Sequence, residues 1–217
     1  MNDPHGQHDG HLGAVYAART PAEVAAGYDA WAPTYEDEMR RQGYRHPSVA
    51  LALLARHLAP GARPLLDAGA GTGLIGEWLP ILGYPETEAL DLSEGMLAQA
   101  AAKGVYARLH CAALGQALPF ADGHFAGAVS TGVFTTGHVG AEALPELFRV
   151  LRRGAVMVLT VKLPIWEDGI APALDRAATA GTAEVLEVTA PYVSMPGEAG
   201  TVPSLAVAFR VKGPFPR

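Results

Sequence analysis

Two acids and a run of glycines carry the chemistry that can be read from this chain. Residues 65–76 read Leu-Leu-Asp-Ala-Gly-Ala-Gly-Thr-Gly-Leu-Ile-Gly. Gly69, Gly71 and Gly73 alternate just after Asp67. Glycine lets the backbone turn through positive φ and lets a ligand approach without meeting a Cβ. A glycine bend between a strand and a helix is how a doubly wound sheet builds a nucleotide pocket. The acid beside the glycines repels a phosphate and suits a cationic or polyhydroxyl ligand. Asp91 ends the next strand, at the spacing of about 20 residues at which a carboxylate in a βαβ unit accepts from both hydroxyls of a ribose. Ser93 then caps a helix and Met96 can lie against a base. A second reading of Asp91, as no more than a cap of that helix, stays open.

The fourth strand, Phe125 to Ser130, delivers Ser130 and residues 131–138 to the carboxyl edge of the sheet, where ligands bind in open α/β folds. His138 is the candidate general base there, against the alternative of a water-exposed loop histidine. His110 and His124 are less well placed. Trp31, Trp78 and Trp166 read as packing, with Trp166 nearest the substrate mouth. Cys111 reads as small apolar filling at a strand end. His5, His8 and His11 sit three apart, but no Cys or carboxylate cluster completes a metal site, and no metal is expected.

These residues need an alternating frame. The spacing predicts strands at 63–68, 87–92, 106–111, 125–131, 155–163, 184–194 and 204–212, and helices at about 73–82, 93–103, 141–152 and 168–180. Two more helices precede them, from Thr20-Pro21-Ala22-Glu23 to about Ala32 and from Pro47 to Leu58. The fold class is therefore α/β, a doubly wound, mostly parallel seven-stranded sheet. Residues 195–203 are too short and too rich in Pro and Gly for a crossover, so the last pair is antiparallel. The organisation expected is a mobile tail at 1–20, a helical cap at 21–60 and the α/β domain at 61–217.

Bulk properties narrow the partners. The chain has 217 residues, 49% apolar and 18% charged, with net charge −6. That balance favours neither a nucleic-acid backbone nor an anionic membrane. One cysteine permits no disulfide framework and fits a reducing, cytoplasmic setting. Met1 to Gly10 has no apolar core for a signal peptide, and the apolar run from Ala155 to Ile165 is too short to span a bilayer.

Five runs resemble the class I S-adenosylmethionine-dependent methyltransferases, and within them the methyltransferase-like proteins named after the Williams–Beuren syndrome region. They are YDAWAPTYEDEM (28–39), LLDAGAGTGLIG (65–76), ALDLSEGMLAQA (89–100), ALGQALPF (113–120) and ALPELFRVL (143–151). The resemblance implies a Rossmann-like methyltransferase fold with S-adenosylmethionine as cofactor and a small-molecule acceptor. It implies that Asp67, Ala68, Gly69, Ala70, Gly71, Thr72 and Gly73 line the methionine half of the cofactor. Asp91 would hold the ribose, with Leu92 and Met96 against the adenine. Leu114 and Gly115 would border its edge, and Ser130 would face the site. Tyr28 and Tyr35 would close over the methionyl end or the acceptor. The chain departs from the pattern at Leu114, where the family often has an acid, at Phe125-Ala126 in place of Phe-Asp, and at Gly154-Ala155 in place of Gly-Gly. Two other functions fit the residues: a dinucleotide oxidoreductase, since Gly71-x-Gly73-x-x-Gly76 matches that fingerprint, and a cofactor-binding protein without turnover.

Overall fold

The computed structural model describes residues 10–135 and 138–216. Four helices come first: α1 (Gly10–Ala17), α2 (Pro21–Trp31), α3 (Tyr35–Arg41) and α4 (His46–His57). Then follow β1 (Leu65–Ala68), α5 (Trp78–Ile81), β2 (Thr87–Asp91), α6 (Glu94–Lys103), β3 (Arg108–Cys111), β4 (Phe125–Phe134) and α7 (Leu144–Val150). The chain ends with β5 (Leu151–Lys162), α8 (Leu163–Ile165), α9 (Ala171–Thr179), β6 (Ala183–Val188) and β7 (Ser204–Val211). The seven strands form one sheet in the order β3-β2-β1-β4-β5-β7-β6. β7 runs antiparallel to both β5 and β6, and the other neighbours are parallel.

Local chemistry explains the elements nearest the site. α2 starts at a capping box: the Thr20 side chain accepts from the Glu23 N–H, and Glu23 reaches back to the Thr20 N–H. α6 starts where the Ser93 hydroxyl accepts from the Met96 N–H (3.0 Å), and stops at Gly104 in the left-handed region (φ 64°). Every residue of β1 and β2 is buried, as strands covered on both faces require. One face packs on α7 and α9 through Leu147, Phe148 and Leu174, the other on α4 through Leu53 and Leu54.

Several boundaries differ from the sequence reading. The helix expected at 73–82 shrinks to Trp78–Ile81. Gly73 lies at φ +80°, which no helix tolerates, and Gly76 is wedged so tightly that a Cβ there would meet the Tyr106 hydroxyl at 2.6 Å. β4 continues to Phe134, and β5 begins at Leu151 rather than 155 because a register shift between Phe125 and Gly127 absorbs the extra residues of β5. β6 stops at Val188; Pro191 has no N–H to pair, and the chain rejoins the sheet at a Tyr192–Ser204 bridge. A single π-helical turn, Trp166–Ile170, precedes α9. Residues 10–17, expected as tail, form α1 with Val15 buried, and His11 stacks on Trp31. His5 and His8 lie outside the described residues. Trp78 is 55% exposed and packs in no core, and Cys111 is exposed at the sheet edge rather than filling an apolar gap. No helix among the described residues is long and apolar enough to cross a membrane.

Candidate functional site

The carboxyl ends of β1, β2 and β4 open into a cavity of about 240 Å³ beneath α2 and the start of α3. Its floor is the glycine loop. Gly69 (φ +80°) and Gly71 (φ +55°) both line it, and they do different things. A Cβ on Gly69 would lie 2.2 Å from Val133 Cγ2, so the loop and β4 close-pack only because that atom is missing. A Cβ on Gly71 would meet nothing within 4 Å, because Gly71 opens onto the cavity.

Asp91 ties the loop to α6. Its Oδ2 accepts from the Gly71 N–H (2.8 Å) and its Oδ1 from the Ser93 N–H (2.9 Å). Burial raises its pKa, and those two N–H groups oppose the rise. Two carboxylate oxygens offer about four lone-pair sites, so two remain for a ligand's donors. Thus both readings of Asp91 hold: it anchors the helix start and it lines the cavity. Leu92, Met96, Ala112 and Leu114 form an apolar slot beside it, with Gln116 at the edge.

Asp67 is placed otherwise than the resemblance implies. It is fully buried and does not line the cavity. Its Oδ2 accepts from the Tyr106 hydroxyl (2.6 Å), while its Oδ1 is buried with no partner among the described residues. Burial pushes this carboxyl up to about 7, against the opposing bond from Tyr106. Tyr106 in turn packs on Gly73 and Gly76. Asp67 therefore shapes the loop from below, and Tyr106 is a supporting residue that nothing in the local sequence marks.

The remaining expected residues also act from behind the wall. The Ser130 hydroxyl donates to the Ala68 carbonyl (2.7 Å) and is fully buried. Ala70 and Gly69 donate to the Leu90 carbonyl, locking the loop to β2. The Thr72 hydroxyl donates to Glu36, and Gly115 (φ +87°) turns the chain without lining the cavity.

The roof is fastened by acids of the 28–39 run. Asp29 Oδ1 accepts from the Ser93 hydroxyl (2.6 Å) and from the Gly95 N–H (2.8 Å). Glu36 Oε1 accepts from Thr72 and from the Lys103 ammonium (2.6 Å). These tethers hold Tyr28 and Tyr35 over the cavity, both of which line it. Burial drives both phenols above their ordinary pKa, so both are neutral donors. His138 also lines the cavity, with Nδ1 3.2 Å from the Thr135 hydroxyl and its ring edge-on to Tyr16 (5.4 Å). Trp166 packs against the core and His110 and His124 both hold Glu88, away from the cavity. Among the described residues no cluster of three or more His, Cys, Asp or Glu could hold a metal.

Comparison with known proteins fits this geometry. A family model described as a methyltransferase domain matches residues 66–159. Human methyltransferase-like protein 27 is 35% identical over 166 residues, 73% of this chain and 67% of its own length. A dTDP-3-amino-3,6-dideoxy-alpha-D-glucopyranose N,N-dimethyltransferase from Streptomyces fradiae is 32% identical over 176 residues, 79% of this chain and 66% of its own. The chain thus spans about two thirds of each relative. Among solved structures, the [4+2]-cyclase SpnF superposes with TM-score 0.66 at 16% identity, over 90% of this chain and 98% of that one. That likeness concerns the fold alone.

Proposed function

The chain belongs to the class I S-adenosylmethionine-dependent methyltransferase superfamily, and from that premise we propose that the cavity under α2 and α3 holds the cofactor and presents its methyl group to a small-molecule acceptor. The observation that carries this reading is the join of Gly71 to Asp91. A bare backbone position opens onto the cavity, and a carboxylate with two lone-pair sites in reserve stands beside it. The residues fit the cofactor part by part. Asp91 accepts from the ribose hydroxyls. The slot of Leu92, Met96 and Leu114 takes the adenine face, and its apolar lining needs no acid at 114. Gly69, Gly71 and Tyr35 border the methionyl end. Residues 21–60 act as the cap and 61–217 as the cofactor-binding domain.

S-adenosylmethionine supplies a methyl group on a sulfonium, a reactive electrophile in its own right. The protein's share is to align acceptor and methyl, which is worth about 7–11 kcal/mol when the geometry is held. Tyr28 and Tyr35 exclude water from above. His138 takes the proton from an acceptor nitrogen or hydroxyl, its ring oriented by Thr135. Replacing His138 with Gln lowers kcat by about 100-fold or more if it is that base, and leaves cofactor affinity in place. The acceptor is a small organic molecule. The relative from Streptomyces fradiae, named for an amino sugar, is consistent with this class. The lone Cys111, reduced and exposed, fits a cytoplasmic protein.

The test is thermal. S-adenosylhomocysteine raises the melting temperature and NADH does not. A shift with NADH alone would restore the oxidoreductase, which has no support among the relatives.

A further inference from the structure

A second group of polar side chains lies beside the cavity, buried between the sheet and the start of α4. Lys162 ends β5 and is 7% exposed. Its Nζ donates to the Val202 carbonyl (2.9 Å), and among the described residues no carboxylate pairs with it, whereas Lys103 and Lys212 pair with Glu36 and Glu184. Ser204 stands opposite Lys162 in the β5–β7 ladder, and Tyr192 bridges to Ser204. Directly opposed residues of an antiparallel pair project from the same face, about 4.5–5.5 Å apart. Ser194, two residues past Tyr192, is also fully buried. The hydroxyls of Ser194 and Ser204 have no hydrogen-bond partner among the described residues. His46 closes the group, its Nδ1 2.7 Å from the Tyr192 hydroxyl. Burial and then the Lys162 charge push His46 down to about 3, so it stays neutral.

The group adjoins the cavity. Tyr44 packs edge-on to His46 (5.3 Å). Its hydroxyl fills the space over Gly132, 2.0 Å from where a Cβ would sit. Gly132 and Tyr35 both line the cavity.

An ammonium has three donors, and here one is used. A buried charge without a counter-ion and a buried hydroxyl without a partner are each costly. The ammonium and both hydroxyls can donate, and a small anion rich in oxygen accepts from all three together. We propose that Lys162, Ser194 and Ser204 form a subsite for an anionic oxygen group, carboxylate or phosphoryl, carried by the methyl acceptor. The proposal rests on the methyltransferase reading and names the acceptor's class: a small molecule whose reacting atom lies in the cavity while its anionic end, displacing the Tyr44 hydroxyl from the wall between them, is held by Lys162.

The test uses the full chain saturated with S-adenosylhomocysteine and compares sodium acetate and inorganic phosphate with chloride at equal ionic strength. At least one of the two raises the melting temperature in the wild type, and the rise is lost in Lys162→Met and reduced in Ser204→Ala. Acetate alone points to a carboxylate acceptor, phosphate alone to a phosphoryl one. If Lys162→Met does not fold, Ser204→Ala carries the test. The subsite is overturned if neither anion acts beyond chloride, or if the folded variants respond as the wild type does. A wild type that does not respond to S-adenosylhomocysteine at all refutes the broader reading instead, so the two failures are distinct.

Discussion

The two sides of the cavity are built by different rules. On the β1–β2 side, the cavity is lined by glycine backbone, one carboxylate and the apolar side chains of Leu90, Leu92 and Met96, all from two short runs between Gly69 and Met96. On the side of the cap and of β4, the lining is brought together from distant places: the side chains of Arg19, Tyr28, Tyr35 and His138 and the backbone of Gly132. The first side is shaped by sterics that permit almost no variation, since Gly69 cannot carry a Cβ against Val133. The second is shaped by tethers, Asp29 to Ser93 and Glu36 to Thr72 and Lys103.

The sharpest way to break this comparison is at the two neighbouring glycines. Gly69→Val costs about 3 kcal/mol or more, the sum of a positive-φ penalty and an overpacked contact. It lowers the melting temperature and abolishes cofactor binding. Gly71→Ala costs only the φ penalty, about 1–2 kcal/mol, yet also blocks the cofactor because its methyl enters the cavity. Equal loss of fold in both variants would show that the loop, not the ligand, claims that space.

Next in size is the roof. Asp29→Ala removes the acceptor of two hydrogen bonds to α6, each worth about 1.5–3 kcal/mol when one partner is charged. The expected outcome is faster cofactor release in stopped-flow measurements with a smaller change in melting temperature than for Gly69→Val. An unchanged release rate would mean that the cap does not hold the ligand in.

The buried acid Asp67 gives the smallest effect and a different sign. Asp67 is raised to about 7 in the folded protein from an ordinary 3.8. The folded state therefore binds the extra proton between those values. The stabilising contribution is whole below pH 3.8 and is lost as pH rises through 7, at no more than about 1.4 kcal/mol per pH unit. Asp67→Asn removes that dependence. Its melting temperature relative to wild type improves from pH 5 to pH 8. A gap that does not change with pH would mean that Asp67 is already ionised in the fold.

The same contrast explains what was legible in the sequence. The seven strands, the antiparallel last pair and the pairing of the glycine loop with Asp91 follow from short-range patterns, and they are found. Thr20 and Ser93 announce their helices by capping chemistry alone. The helix over 73–82 was misread because apolar spacing after the loop hides the positive φ of Gly73 and the pressure of Tyr106 on Gly76. The resemblance implies that Asp67 lines the cofactor, and a position beside the glycines carries no signal of the full burial that the fold gives it. Tyr106, Asp29 and Glu36 act across 39, 64 and 36 residues of chain, and only the fold brings them to their partners. Lys162 was invisible for the same reason: a lysine ending an apolar strand gives no hint that no acid awaits it.

The central claim is that Asp91 and the bare backbone at Gly71 grip an adenosyl cofactor. Calorimetric titration of wild type and Asp91→Ala with S-adenosylhomocysteine tests it directly. The account expects saturable binding to the wild type and affinity weakened more than about 10-fold in the variant, the loss of about 1.4 kcal/mol or more from two ribose hydrogen bonds. Equal affinities in the two proteins, or no binding heat with the wild type, would contradict it.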